Sequence, residues 1–92
     1  MKVWHSIEVE IARAAESAAT TQLWAHQTTG FEVSEDPARP DEITLRAYFD
    51  TPPDAAAIRA AILHELGHQG VPATALHRVE SLTIADQDWL AE

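Results

Sequence analysis

Two histidines four residues apart, with a glutamate beside the first, are the side chains here whose types and spacing could do chemistry. His64-Glu65-Leu66-Gly67-His68 matches the HExxH pattern, in which two imidazoles on one helical face hold zinc and the glutamate serves as general base. A catalytic zinc also needs a third protein ligand and an open position. The long form of the pattern wants glycine at 71 and histidine at 74, where this chain has Val71 and Thr74. The other form wants a glutamate on a later helix, but Glu80 falls in an expected strand and Glu92 is the last residue. The match therefore reads as incidental. A small zinc-dependent hydrolase using His64 and His68 stands as the alternative.

The element that positions these histidines is a well-signalled helix between Thr51 and Pro72. Thr51 is expected as its N-cap, with Pro52 in the first position and Asp54 three residues on. Alanines with Ile58, Ile62, Leu63 and Leu66 fill the interior. At about 100° per residue, Ala55, Ile58, Ile62 and Leu66 share one side, and His64 and His68 fall nearly opposite. The pair is thus expected to face water. Gly67 and Gly70 are candidate stops, and a stop at Gly67 would take His68 out of helical spacing.

The 92 residues suffice for one two-layer core, thin because much of the 46% hydrophobic content is alanine. Without cysteine there is neither a disulfide framework nor a thiolate metal site. A net charge of −9 argues against direct nucleic-acid binding, which wants clustered Lys and Arg, and is compatible with a basic partner. The opening MKVWHSIEVEI alternates and carries two glutamates, unlike a signal peptide, and no apolar run has membrane-spanning length. A soluble cytoplasmic protein is the expectation.

Residues 2–11 alternate as a half-buried strand, with Val3, His5, Ile7, Val9 and Ile11 on one face. A helix is expected from Ala12 to about Gln27, its face of small residues (Ala12, Ala15, Ala19) ending at Leu23, with Trp24 off that stripe. Gly30 is the expected left-handed residue after it. Phe31 to Glu35 forms a short strand, Asp36 to Asp41 a proline-containing loop, and Glu42 to Asp50 a second clearly alternating strand. After the helix just described, a weakly alternating strand lies within residues 75–84. The order β-α-β-β-α-β predicts an α+β ferredoxin-like two-layer sandwich: a four-stranded sheet with two helices on one face and the two clearest strands at its centre.

Several short stretches resemble the N-terminal domain of the PrmA family, bacterial methyltransferases that modify the ribosomal stalk-base protein L-eleven. They are Trp4, Glu8 and Val9 in the opening strand, Leu23-Trp24, Thr29-Gly30-Phe31-Glu32-Val33, Arg46-Ala47-Tyr48-Phe49, and Asp88-Trp89 after the last strand. The family's second Trp after that pair is absent. The resemblance implies a substrate-recognition domain over residues 1–84, docking a basic ribosomal protein. Residues 85–92, with Asp88 and Trp89, would then start a linker helix to a catalytic domain that uses S-adenosylmethionine. No catalytic residue carries over and no cofactor is expected in this chain, whose partners would be the ribosomal protein and its own catalytic domain. HELGH is not part of the family's pattern. A free-standing ferredoxin-like interaction domain is the further alternative.

In the expected fold, Trp4, Glu8, Glu32, Arg46 and Tyr48 project from the sheet face opposite the helices. Aromatics with carboxylates and an arginine make a candidate partner-binding patch, since aromatic and Arg side chains are enriched where proteins dock.

Overall fold

The computed structural model describes residues 3–85, and side chains over residues 5–82. Strand β1 (Val3–Ala12) leads through a 3-10 turn (Arg13–Ala15) into helix α1 (Glu16–Ala25). Strands β2 (Gly30–Asp36) and β3 (Arg39–Phe49) follow, then helix α2 (Ala55–His68), a second 3-10 turn (Ala73–Ala75) and strand β4 (Leu76–Ala85). The sheet is antiparallel, in the order β2-β3-β1-β4, with both helices on one face. This is the ferredoxin-like β-α-β-β-α-β sandwich, and the two most clearly alternating strands, β1 and β3, occupy its centre.

The core forms where alternation meets the helices. Ile7, Val9 and Ile11 of β1 and Ile43, Leu45, Ala47 and Phe49 of β3 point to the helical side and are buried. Helix α2 brings down Ile58, Ile62 and Leu66, while α1 contributes Ala15, Ala18, Ala19 and Leu23. Because the α1 face is mostly alanine, its backbone can lie close to the sheet, where Ala15, Ala18 and Ala19 are fully buried. Trp24, off that face, is 56% exposed and rests against Phe31, ring centroids 5.6 Å apart.

Both helices differ from the sequence expectation at their ends. Thr51 does not cap α2. Asp54 does, its carboxylate accepting from the Ala57 amide at 3.1 Å. Pro53 explains the shift, since a proline drives the residue before it out of the helical region, so a helix cannot start at Pro52. Nor does Gly67 end α2, which runs through His68. Val71 donates to the Leu66 carbonyl at 2.9 Å and Gly70 to that of Gly67, with Gly70 left-handed at φ 72°. This is a Schellman closure on Gly70. The same closure ends α1, with Thr28 donating to Leu23 and Gln27 to Trp24, so the left-handed residue is Gln27 (φ 67°) rather than Gly30. Gly30 is instead the first residue of β2, opposite Tyr48. The prolines of the Asp36–Asp41 stretch do not hold a long loop open: the chain turns at Pro37 and Ala38, and β3 already begins at Arg39.

Candidate functional site

Sheet pleating sends every second residue away from the helices, and the register places those residues in rows. One row across the bare face reads Glu32, Arg46, Glu8 and Glu80 from β2 to β4. The next reads Ser34, Thr44, Glu10 and Arg78, and on the other side come Gly30, Tyr48, Ser6 and Leu82. Cross-strand neighbours of this kind lie about 5 Å apart, so opposite charges meet without bending the backbone.

They do meet. Arg46 donates to Glu8 at 2.9 Å, and Arg78 donates to the other oxygen of the same carboxylate at 2.6 Å. Arg78 also donates through Nε to Glu10 at 2.6 Å and through Nη1 to Glu80. Glu8 is therefore the centre of a ladder, with its side chain only 17% exposed. The Arg46 guanidinium holds its carboxyl below the ordinary carboxylate value, and Arg78 adds to this against the opposing push of burial. Arg78 is correspondingly raised above the usual arginine value, by Glu10 first and then Glu8, and Arg46 is raised by Glu8. At the β2 side the Tyr48 hydroxyl lies 3.4 Å from Glu32. Leu82, 39% exposed, is the large apolar side chain of this face among those described.

Four of the five patch residues named from the sequence are thus brought together: Glu8, Glu32, Arg46 and Tyr48. Trp4 takes its place in β1 opposite Ile84, with its side chain outside the described ones, and Asp88 and Trp89 lie outside the described residues. Within the patch, Glu8 is bound by two arginines, Arg46 and Arg78. Glu10, Arg78 and Glu80 were missed. For Arg78 and Glu80 the signal was their alternation with Val79, which reads poorly because apolar side chains occupy both faces of β4, while Glu10 belongs to the clear alternation of β1.

Beyond the ladder, toward the β2–β3 turn, a shallow polar cleft of about 190 Å³ is lined by Glu10, Asp36, Arg39, Glu42, Thr44 and His77. Arg39 pairs with Glu42 at 3.3 Å, and the His77 ring nitrogen stands 3.3 Å from the same carboxylate.

On the far side of the molecule, His64 and His68 are both exposed, and their Nε2 atoms stand 3.1 Å apart. Glu65 is not aimed at them. Its carboxylate accepts from Gln22 of α1 at 3.3 Å and from Gln69 at 3.1 Å, so it ties the two helices together. Among the described residues no three His, Cys, Asp or Glu side chains are grouped to hold a metal. The glutamate that a hydrolase would use as base is committed to helix packing.

Among the described residues no helix is long and apolar enough to cross a membrane. No family model matches the chain. No curated protein matches it. Solved structures do. The C-terminal domain of the MgtC protein from Mycobacterium tuberculosis superimposes with a TM-score of 0.57 at 16% identity, covering 92% of this chain and 90% of that one. A protein assigned as PII-like signalling from Thermus thermophilus gives 0.53 at 13%, over 97% and 98% of the two chains. One assigned as an antibiotic biosynthesis monooxygenase from Chloroflexus aurantiacus gives 0.53 at 17%, over 89% and 93%. At such identities the likeness is one of fold, and a domain of MgtC, a signalling protein and an oxygenase sharing it means that the fold fixes no activity.

Proposed function

We propose that this chain is a protein-docking domain that presents the bare face of its sheet to a basic partner. The single observation behind this reading is the ladder itself. Helices cover one face of the sheet, while the other displays Glu8, Glu10, Glu32 and Glu80 against Arg46 and Arg78, most of them already fixed by ion pairs. Groups held in place before association lose less entropy when a partner arrives. Four carboxylates against two guanidiniums leave an acidic surplus on a chain of net charge −9, which complements a lysine-rich surface. Its two outer carboxylates, Glu32 and Glu80, are exposed and reachable.

In its finer form, the partner is a basic ribosomal protein and the chain is the recognition domain of an S-adenosylmethionine-dependent methyltransferase. The residue pattern from Trp4 through Arg46-Ala47-Tyr48-Phe49 to Asp88-Trp89 supports this form, and methyl transfer would belong to a separate catalytic domain. The other form is a free-standing ferredoxin-like interaction domain, favoured by the spread of unrelated proteins that share the fold.

Titration with the ribosomal stalk-base protein, and with a lysine-rich peptide of equal charge, tests both. Glu32→Lys with Glu80→Lys is expected to weaken binding at least tenfold and to flatten its salt dependence. Preference for the ribosomal protein over the peptide supports the methyltransferase form, and equal affinity supports the free-standing form. Unchanged affinity in the double variant overturns docking through this face.

A further inference from the structure

The histidine pair has no part in docking through the open sheet face. On the exposed side of α2, His64 and His68 set their rings edge to face, 4.7 Å between centroids, with their Nε2 atoms 3.1 Å apart. A metal ion bonded to both at the usual metal–imidazole distance of about 2.0–2.1 Å would subtend about 100°. That angle lies between the square-planar and tetrahedral values, so both nitrogens can bind one ion with little rotamer change. Gly67 stands between them in sequence, and a Cβ built there would meet nothing within 4 Å, so the helix surface beside the pair is open. The shallow depression over this spot is lined by His64, Gly67 and His68.

From this geometry we infer that His64 and His68 form an open two-point chelate for a divalent transition metal, with copper(II) preferred. Both ligands are imidazoles, which suit copper, nickel and zinc, and at a nitrogen site without imposed geometry affinity follows the order copper over nickel and zinc. Glu65 is bound to Gln22 and Gln69 and does not join the ligand set. Water or an external ligand therefore fills the remaining positions, and the ion exchanges readily. With both rings neutral, a hydrogen bond across the 3.1 Å gap places a proton on one of the two Nε2 atoms. On binding, that proton moves to Nδ1 through solvent so that both lone pairs face the metal, and no redox step is involved.

This site differs from a zincin centre in a way that can be measured. The full chain is titrated calorimetrically with copper(II), nickel(II) and zinc(II) chloride in a weakly coordinating buffer. Parallel titrations use His64→Ala, His68→Ala and the control His26→Ala, each checked for an unchanged circular dichroism spectrum. One copper per chain is expected at roughly micromolar affinity, nickel weaker, and zinc too weak to move the melting temperature appreciably. Each of His64→Ala and His68→Ala should lose about tenfold or more in copper affinity, because a chelate becomes a single ligand, while His26→Ala should match the parent. Copper binding equally strong in all four proteins would overturn the site, as would zinc binding more tightly than copper.

Discussion

The two faces of one sheet are built from the same strands on opposite principles. The face under α1 and α2 holds mainly apolar side chains packed on one another, while the bare face holds charges that touch across strands. On the covered face the driving force is removal of apolar area from water, which is indifferent to direction and large for each side chain. On the bare face, ion pairs with solvent-exposed arginines add little stability, because water competes for each charge. The fold is held by one face, and the proposed docking is assigned to the other.

The sharpest way to break that distinction is to trade neighbours on β3. Leu45→Ala, at a fully buried position, is expected to cost about 2–5 kcal/mol and lower the melting temperature steeply. Arg46→Ala, one residue on and facing the other way, should leave the melting temperature within a few degrees. Comparable losses in the two variants, by thermal denaturation, would mean that the ladder carries stability of its own.

Within the covered layer, Asp54→Ala removes the side chain that closes the start of α2 and should cost about 1 kcal/mol. Thr51→Ala, a residue whose type suggests a cap, should cost almost nothing. Chemical denaturation of the two variants separates the actual cap from the apparent one.

On the bare face the effect depends on pH. Because the Glu8 carboxyl is held below its ordinary value of 4.5 in the folded chain, its contribution is present above about pH 4.5 and is lost as pH falls through the folded value. Glu8→Gln should therefore be less stable than the parent at neutral pH and draw level with it in acid. A stability gap between the two that is constant from pH 7 to pH 3 would show that Glu8 acts through packing alone. Smallest of all, Glu65→Gln should stay within about 0.5 kcal/mol, since an amide can still bond to Gln22 or Gln69.

What could be read from the residues follows the same division. β1 and β3 are legible because one of their faces is buried, so Ile7, Val9 and Ile11 alternate with Ser6, Glu8 and Glu10. β4 is not, since Val79 packs toward the helices while Leu82 lies on the bare side. Registry was the missing information. That Arg78 stands beside Glu10 and within reach of Glu8 depends on how β4 slides along β1, including the irregularity after Glu10, and nothing local sets that. The helix ends were misplaced for a different reason. Thr51 and Gly30 each have the right chemistry for a boundary, but Pro53 and the pairing of Gly30 with Tyr48 decided otherwise, while of the two candidate stops of α2 it is Gly70 and not Gly67 that closes the helix. His64 and His68 were placed correctly on the exposed side, since helical periodicity alone fixes that.

Docking through the bare face is tested most directly by nuclear magnetic resonance. Backbone amide shifts of the isotope-labelled chain are followed while unlabelled ribosomal stalk-base protein, or another basic partner, is added. Perturbations are expected to gather at Glu8, Glu32, Arg46, Tyr48, Arg78 and Glu80, and to spare the outward residues of α1 and α2. Shifts that concentrate instead on α2 around Arg59, His64 and His68, with the bare face of the sheet unmoved, would contradict it.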